Sequence, residues 1–202
     1  MKAAVYYQTG DPSVLKYEEM PDPACRPSGV LIDVKAIGIQ GGDTLNRRGG
    51  ELATHPHIVG YQASGIIREV GANVTDRAPG QAVVATMAFG SHASLVSVAS
   101  QSTYLVPAGM SVEAAAGVPI EFGTADDCLF EFGRLKAGET VLVQAGGGGV
   151  GLAAIQLAKR AGATVFATAS SDEKLERLKA FGMDYGINYR TENLAAKVMQ
   201  LT

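Results

Sequence analysis

At 202 residues, 47% hydrophobic and 18% charged with a formal net charge of −3, the chain has the composition of an ordinary globular protein of one or two domains. A pI near 5.6 gives no electrostatic footing for nucleic acid or an anionic membrane. No run approaches the roughly 20 apolar residues of a membrane span, and residues 1–8 hold too short an apolar run for a signal peptide. Cys25 and Cys128 lie far apart and in no ligand-like spacing, so two free thiols in a reducing cytosol are expected rather than a disulfide.

In chain order, strands are expected at Lys2–Tyr6, 30–39, 63–70, Ala82–Thr86, 93–98 and Thr103–Leu105. Turn signals separate them at Gly10-Asp11-Pro12, Asp22-Pro23, Arg26-Pro27-Ser28-Gly29 and Ala78-Pro79-Gly80. This pattern predicts an irregular, barrel-like β domain over residues 1–118. After Pro119 the pattern alternates strand and helix. Residues 124–132 read as a helix, and 141–144 as an apolar strand. Residues 150–161 follow as a helix, with Val150, Ala154, Leu157 and Ala161 at helical spacing. A second strand is expected at 163–169, then a capping box at Ser170-Ser171-Asp172-Glu173 before a helix to about Phe181. Tyr185–Asn188 reads as a third strand, and 192–201 as a further helix. The order β-α-β-α-β-α implies a parallel sheet wound right-handedly.

Gly146-x-Gly148-x-x-Gly151 sits between a predicted strand and a predicted helix. Glycines there permit a tight turn and bring backbone N–H groups close to a pyrophosphate. The helix opening near Val150 then turns its positive end toward that anion, the arrangement of a dinucleotide-binding fold. The end of the second strand selects the cofactor. An NAD site places a carboxylate there for the ribose 2′-hydroxyl. Here stand Ala169, Ser170 and Ser171, with Lys174 one turn into the helix, and two hydroxyls and a cation suit a 2′-phosphate. Asp172 falls in the first turn, where helix stabilisation accounts for it.

The run Val141-Leu142-Val143-Gln144-Ala145-Gly146-Gly147-Gly148-Gly149-Val150-Gly151 resembles the cofactor loop of the NADPH:quinone oxidoreductases, a zinc-free branch of the medium-chain dehydrogenase/reductases. So do Ala167-Thr168-Ala169-Ser170-Ser171-Asp172-Glu173-Lys174 and Ile187-Asn188-Tyr189-Arg190. Upstream, Gly38-Ile39-Gln40-Gly41-Gly42-Asp43 and Val59-Gly60-Tyr61-Gln62-Ala63-Ser64-Gly65 are similar to that family's substrate-domain signatures. The resemblance implies an α/β chain: a GroES-like β-barrel domain over 1–118, then the first half of a Rossmann domain over 119–202. It implies hydride transfer from NADPH to a quinone or enone, with the nicotinamide held in the cleft between the domains. Gln40, Gly41, Gly42, Thr124, Gly148, Gly149, Val150, Ser170, Ser171, Lys174 and Tyr189 match the family's NADPH contacts, beside Gly146 and Gly151 of the glycine motif. A cytoplasmic enzyme is expected, homodimeric when complete and acting on a small molecule without nucleic acid or membrane.

The zinc-dependent relatives carry Cys where Gln40 stands and a His-Glu pair where Tyr61 and Gln62 stand. An amide and a phenol are poor zinc ligands, and residues 85–115 contain no cysteine cluster, so the expectation is metal-free. Gln40, Arg47, Tyr61 and His92 then remain to polarise a carbonyl, with Asp43 beside them as a catalytic candidate or a loop anchor. Leu45 and Glu51 replace tyrosines common in the family, and His92 replaces a third. Three strands are half of a doubly wound domain, so a fragment is expected that does not turn over alone. An enoyl-thioester reductase and a non-catalytic cofactor-binding protein, as some lens crystallins of this type suggest, are the competing readings.

Overall fold

A computed structural model describes all 202 residues, which divide into two compact units, Met1–Pro119 and Ile120–Thr202. The first unit opens with β1 (Lys2–Tyr6) and β2 (Lys16–Glu19), then β3 (Gly29–Ile37), helix α1 (Gly41–Arg48), β4 (His57–Ile58) and β5 (Gln62–Val70). It continues with β6 (Ala82–Thr86), β7 (Leu95–Ala99), β8 (Thr103–Leu105) and the short α2 (Val112–Ala115). Antiparallel pairing orders five strands β7-β3-β5-β6-β8, and a second sheet runs β2-β1-β4. An isolated bridge between Ala3 and Ala93 links the segment before β7 to β1.

β3 and β5 are each 9 residues long and hold the centre of the large sheet. Val30, Ile32, Ile67, Val83, Ala85, Val96 and Val98 turn inward to meet Ala3 and Val5 of β1. Branched side chains on a pleated surface favour the strand locally, and each fully buried Val or Ile contributes on the order of 1.5–3 kcal/mol of apolar transfer. The sequence pattern anticipates the strands at Lys2–Tyr6, Ala82–Thr86 and Thr103–Leu105 to the residue. It does not reveal β2, β4 or α1. The first two are short and depend on pairing to β1, and α1 opens on two glycines that discourage a helical reading.

The second unit runs α3 (Pro119–Asp126), a wider π-type turn (Asp127–Phe132), β9 (Thr140–Val143), α4 (Gly149–Arg160) and β10 (Thr164–Ala169). It ends with α5 (Asp172–Lys179), β11 (Tyr185–Asn188) and α6 (Leu194–Leu201). The strands are parallel in the order β11-β10-β9. Ala153, Ala154 and Ala158 of α4 are small enough to let the helix approach the sheet, where Ile155, Val165, Ala167, Leu175 and Leu178 complete the core. The capping expectation is corrected by one residue. Ser171, not Ser170, is the N-cap of α5, its hydroxyl accepting from the Lys174 amide at 3.4 Å. With Lys174 at the third helical position there is no carboxylate to reach back, so the reciprocal box does not form. The residue that sequence spacing assigned to capping is thereby released to face Lys174.

Burial sets a pH dependence for the first unit. His57 is nearly sealed against the edge of Tyr6, their rings 5.3 Å apart, and burial pushes its imidazole below the ordinary value of 6.5. His92 is lowered by burial too, with the Asp43 charge opposing. Below about 6.5 the unfolded chain takes up protons that the folded chain refuses, so stability is full above that pH and falls as pH drops toward the folded-state values. Urea unfolding followed by circular dichroism should therefore give a lower midpoint at pH 5.5 than at pH 7.5. His57→Phe, which keeps the ring edge contact, should flatten that difference.

Candidate functional site

The loop of the second unit is built around backbone crowding. A Cβ on Gly151 would lie 2.4 Å from the Ala145 carbonyl oxygen and 2.8 Å from Gly146 Cα, so only glycine fits without moving the chain. A Cβ on Gly146 would meet Leu178, Ala167 and Ile155 at 2.9–3.2 Å, which seats the loop directly on the core. Ala145 takes a left-handed conformation at φ +51 and donates its amide to Thr168 Oγ1 at 3.1 Å, while the Gly146 amide donates to the Thr168 carbonyl at 2.8 Å. β10 thus holds the turn through two hydrogen bonds that offset the strain of an alanine in that region. Replacing Ala145 by glycine should remove that strain, and an unchanged or slightly raised urea midpoint is expected.

Beyond the turn, α4 starts at Gly149 with Gly148 as a cap that offers no side chain. Gly148 itself therefore offers the first-turn N–H groups no side-chain acceptor, and Gly148, Gly149 and Val150 are solvent-exposed. A helix end of this kind presents donors and a partial positive charge to an anion. Lys174 lies over the loop, its Cδ 3.9 Å from where a Gly147 Cβ would stand, and its Nζ donates to Ser170 Oγ at 3.2 Å. Ser170, Ser171 and Lys174 accordingly meet at the C-terminal end of β10. Tyr189 follows β11 and is exposed, its amide donating to the Ala169 carbonyl at 3.2 Å. Thr124 is exposed on α3, one turn from Glu121, whose Cγ lies 2.9 Å from a Gly149 Cβ position.

Asp172 is committed elsewhere. Its Oδ1 accepts from Asn188 Nδ2 at 2.9 Å, joining the first turn of α5 to the end of β11. The carboxylate that a simple spacing rule would offer to a ribose is thus held by a neighbouring strand.

In the first unit Gln40, Gly41, Gly42, Asp43, Arg47, Tyr61 and His92 fall around the start of α1. β3 ends against Gly38, where a Cβ would collide with the Gln62 amide at 2.2 Å and the Ala116 carbonyl at 2.6 Å. Gln40 caps α1, and the Gln40 amide donates to Asp43 Oδ2 at 2.7 Å in a reciprocal capping arrangement. Asp43 is only 3% exposed. Gly42 makes room for the Tyr61 phenol, whose oxygen accepts from Asn46 Nδ2 at 2.8 Å. Arg47 is buried, and its guanidinium donates to the Gly10 carbonyl while Gly10 returns an amide to the Arg47 carbonyl. That pair anchors the β1–β2 connection and places Arg47 in the framework of the site. Leu45, by contrast, is 66% exposed. His92 Nε2 stands 3.6 Å from Asp43 Oδ2.

Three polar partners here escape sequence reasoning: Tyr6, Asn46 and Ser91. Asn46 carries a faint signal, three residues after Asp43 on one helix face. Tyr6 and Ser91 carry none, since both reach the site only through strand pairing and the bridge beside it. No cluster of three or more His, Cys, Asp and Glu side chains is present.

Comparison with known proteins matches residues 26–114 to the alcohol dehydrogenase GroES-like domain and residues 149–202 to the zinc-binding dehydrogenase family. A synaptic vesicle membrane protein VAT-1 homolog of Danio rerio is 39% identical over 183 residues, 89% of this chain and 38% of that protein. The chloroplastic NADPH-dependent alkenal/one oxidoreductase of Arabidopsis thaliana is 36% identical over 208 residues, covering 96% of this chain and 54% of the relative. The Escherichia coli quinone oxidoreductase solved in complex with NADPH superposes with a TM-score of 0.94 at 30% identity, over 100% of this chain and 62% of that one. The chain thus spans about two fifths to three fifths of the length of these relatives.

Proposed function

This chain belongs to the medium-chain dehydrogenase/reductases, in their quinone-oxidoreductase-like group, and we propose that it binds NADPH and serves hydride transfer to a small quinone or enone. The observation that carries the cofactor is the crowding at Gly151, which forces a side-chain-free turn onto the start of α4, whose cap residue is a glycine. The N–H groups of Gly148, Gly149, Val150 and Gly151 would hold the pyrophosphate. Ser170, Ser171 and Lys174 would hold the 2′-phosphate, with Asp172 kept away by Asn188. Tyr189 offers an exposed ring beside them. When bound, NADPH supplies the hydride from its nicotinamide. Gln40, Gly41 and Gly42, positioned by Asp43, are assigned to the reacting end of the cofactor. Gln40 and Tyr61 are the polar groups assigned to orient the acceptor carbonyl. The Arabidopsis relative's name, an NADPH-dependent alkenal/one oxidoreductase, supports the enone class for this chain.

The donor set does not fit zinc. Gln40 and Gln62 present amides and Tyr61 a phenol that accepts from Asn46, where thiolate and imidazole would be needed. We infer that the carbonyl is oriented by hydrogen bonding instead. Elemental analysis after dialysis against a chelator should find no stoichiometric zinc, and one zinc per chain would contradict the inference. The function is tested by titrating the protein with NADPH and NADH and then assaying NADPH oxidation with a quinone and with an enone. Tighter binding of NADH than NADPH would overturn the cofactor assignment.

A further inference from the structure

Four buried polar atoms in the first unit have no hydrogen-bond partner: Tyr6 Oη, Asp43 Oδ1, Ser91 Oγ and His92 Nε2. Buried polar groups are nearly always paired, so four orphans around one helix start call for a physical reason. They are neighbours. A Cβ at Gly60 would lie 1.9 Å from Ser91 Oγ and 3.1 Å from His92 Nε2, which places both atoms beside one point. Gly60 has φ +114, so the backbone itself excludes a side chain that would separate them. Asp43 stands 3.6 Å from His92. Tyr6 is completely buried, and its phenol is held above its usual range by burial and by the Asp43 charge.

The oxygen of Asp43 nearest His92 is the one already in use. Oδ2 accepts the Gln40 amide at 2.7 Å and is also the atom 3.6 Å from Nε2. One oxygen therefore faces both the backbone N–H of residue 40 and the imidazole. Arg47, one turn along α1 from Asp43, donates to the Gly10 carbonyl, and Tyr61 is engaged by Asn46. His57, packed edge-on against Tyr6, has its imidazole pushed below its ordinary value by burial. His92 is thus the basic side chain in ion-pair reach of Asp43.

We propose that Asp43 and His92 form a proton-operated positioning pair that sets the backbone at residues 40–42. With His92 neutral, Asp43 holds the Gln40 amide and the start of α1 is pinned. A proton from solvent converts the ring to an imidazolium with an N–H on both nitrogens, which draws Oδ2 away from Gln40 and loosens the turn. The Tyr6 and Ser91 hydroxyls rotate to satisfy the oxygen left behind. Burial disfavours the imidazolium while Asp43 favours it, which puts the transition on the acid side of neutrality. The functional consequence rests on the proposed role of residues 40–42 at the cofactor, but the device itself needs neither cofactor nor turnover.

The chain has three histidines, so ring titrations by NMR are readily assigned. In the wild-type protein the backbone amide of Gln40 should titrate with the same midpoint as the His92 ring. In His92→Gln the Gln40 transition should vanish, and in Asp43→Asn the His92 midpoint should move to lower pH. Tyr6→Phe should move the His92 midpoint. A Gln40 amide that stays flat through the His92 transition, or titrates unchanged in His92→Gln, overturns the proposal. If Asp43→Asn does not fold, the wild-type and His92→Gln titrations decide alone. Loss of NADPH binding with these titrations intact would count against the cofactor assignment and leave the pair standing.

Discussion

Gly151→Ala is expected to lower the stability of the second unit and to abolish most NADPH binding together. A methyl there would be driven to 2.4 Å from the Ala145 carbonyl and 2.8 Å from Gly146 Cα, both backbone atoms that cannot step aside alone. Relieving such a clash requires the turn to shift, at roughly 1–3 kcal/mol for an overpacked site. The shifted turn would also turn its N–H groups away from the pyrophosphate. Each lost hydrogen bond to a charged group costs about 1.5–3 kcal/mol, so binding should fall by at least tenfold. Gly148→Ala separates the two effects. Its Cβ would meet the Ala145 oxygen at 3.4 Å, an ordinary contact, on backbone that alanine adopts freely. That variant should unfold at the wild-type urea concentration yet bind NADPH weakly, because its methyl occupies the face offered to phosphate. Equal NADPH affinity in both variants and the wild type, read by calorimetry, would remove the pyrophosphate from this loop.

Lys174→Ala should leave folding intact and reduce NADPH affinity far more than NADH affinity. Lys174 is exposed, and its ammonium is bonded to Ser170 rather than to an acidic partner, so its removal breaks no ion pair. The loss against NADPH is expected at about 1–3 kcal/mol, the scale of one charge-assisted hydrogen bond. Loss against NADH should be within a few tenths. Asn188→Leu provides the converse test. It frees the Asp172 carboxylate that Asn188 Nδ2 holds at 2.9 Å, leaving an anion without that partner beside the proposed 2′-phosphate site. A drop in the NADPH-to-NADH preference is expected, read as a ratio of dissociation constants. Parallel losses for both cofactors in Lys174→Ala would show that the lysine serves the loop and not the 2′ position.

Much of this site is legible in the residues themselves. The spacing of Gly146, Gly148 and Gly151 between an apolar strand and an apolar-periodic helix carries its own mechanism, because each glycine answers a local steric demand. The run from Ala169 to Lys174 is equally local, spanning a strand end and one helical turn. The donor types at Gln40, Tyr61 and Gln62, two amides and a phenol, are read directly from the residues. Leu45 could be seen to lack a tyrosine's hydroxyl, and its exposure adds only where it stands.

The order of residues by itself determined the parallel three-strand unit, the antiparallel strands before it, and the glycine turn between β9 and α4. Periodicity and glycine placement are short-range signals, and hydrophobic burial amplifies them without altering them. Only the tertiary structure decided which partners the buried polar groups take. Asp172 accepts from Asn188, 16 residues along the chain, a pairing that its place in the first turn of α5 does not announce. Arg47 is buried and tied to the Gly10 carbonyl, 37 residues away in the chain. Asp43, His92, Ser91 and Tyr6 become one cluster only because β1, the Gly60 turn and the segment before β7 are brought against α1. Hydrogen-bond partners of buried polar side chains are chosen by packing between elements distant in the chain, and no spacing rule along the sequence encodes that choice.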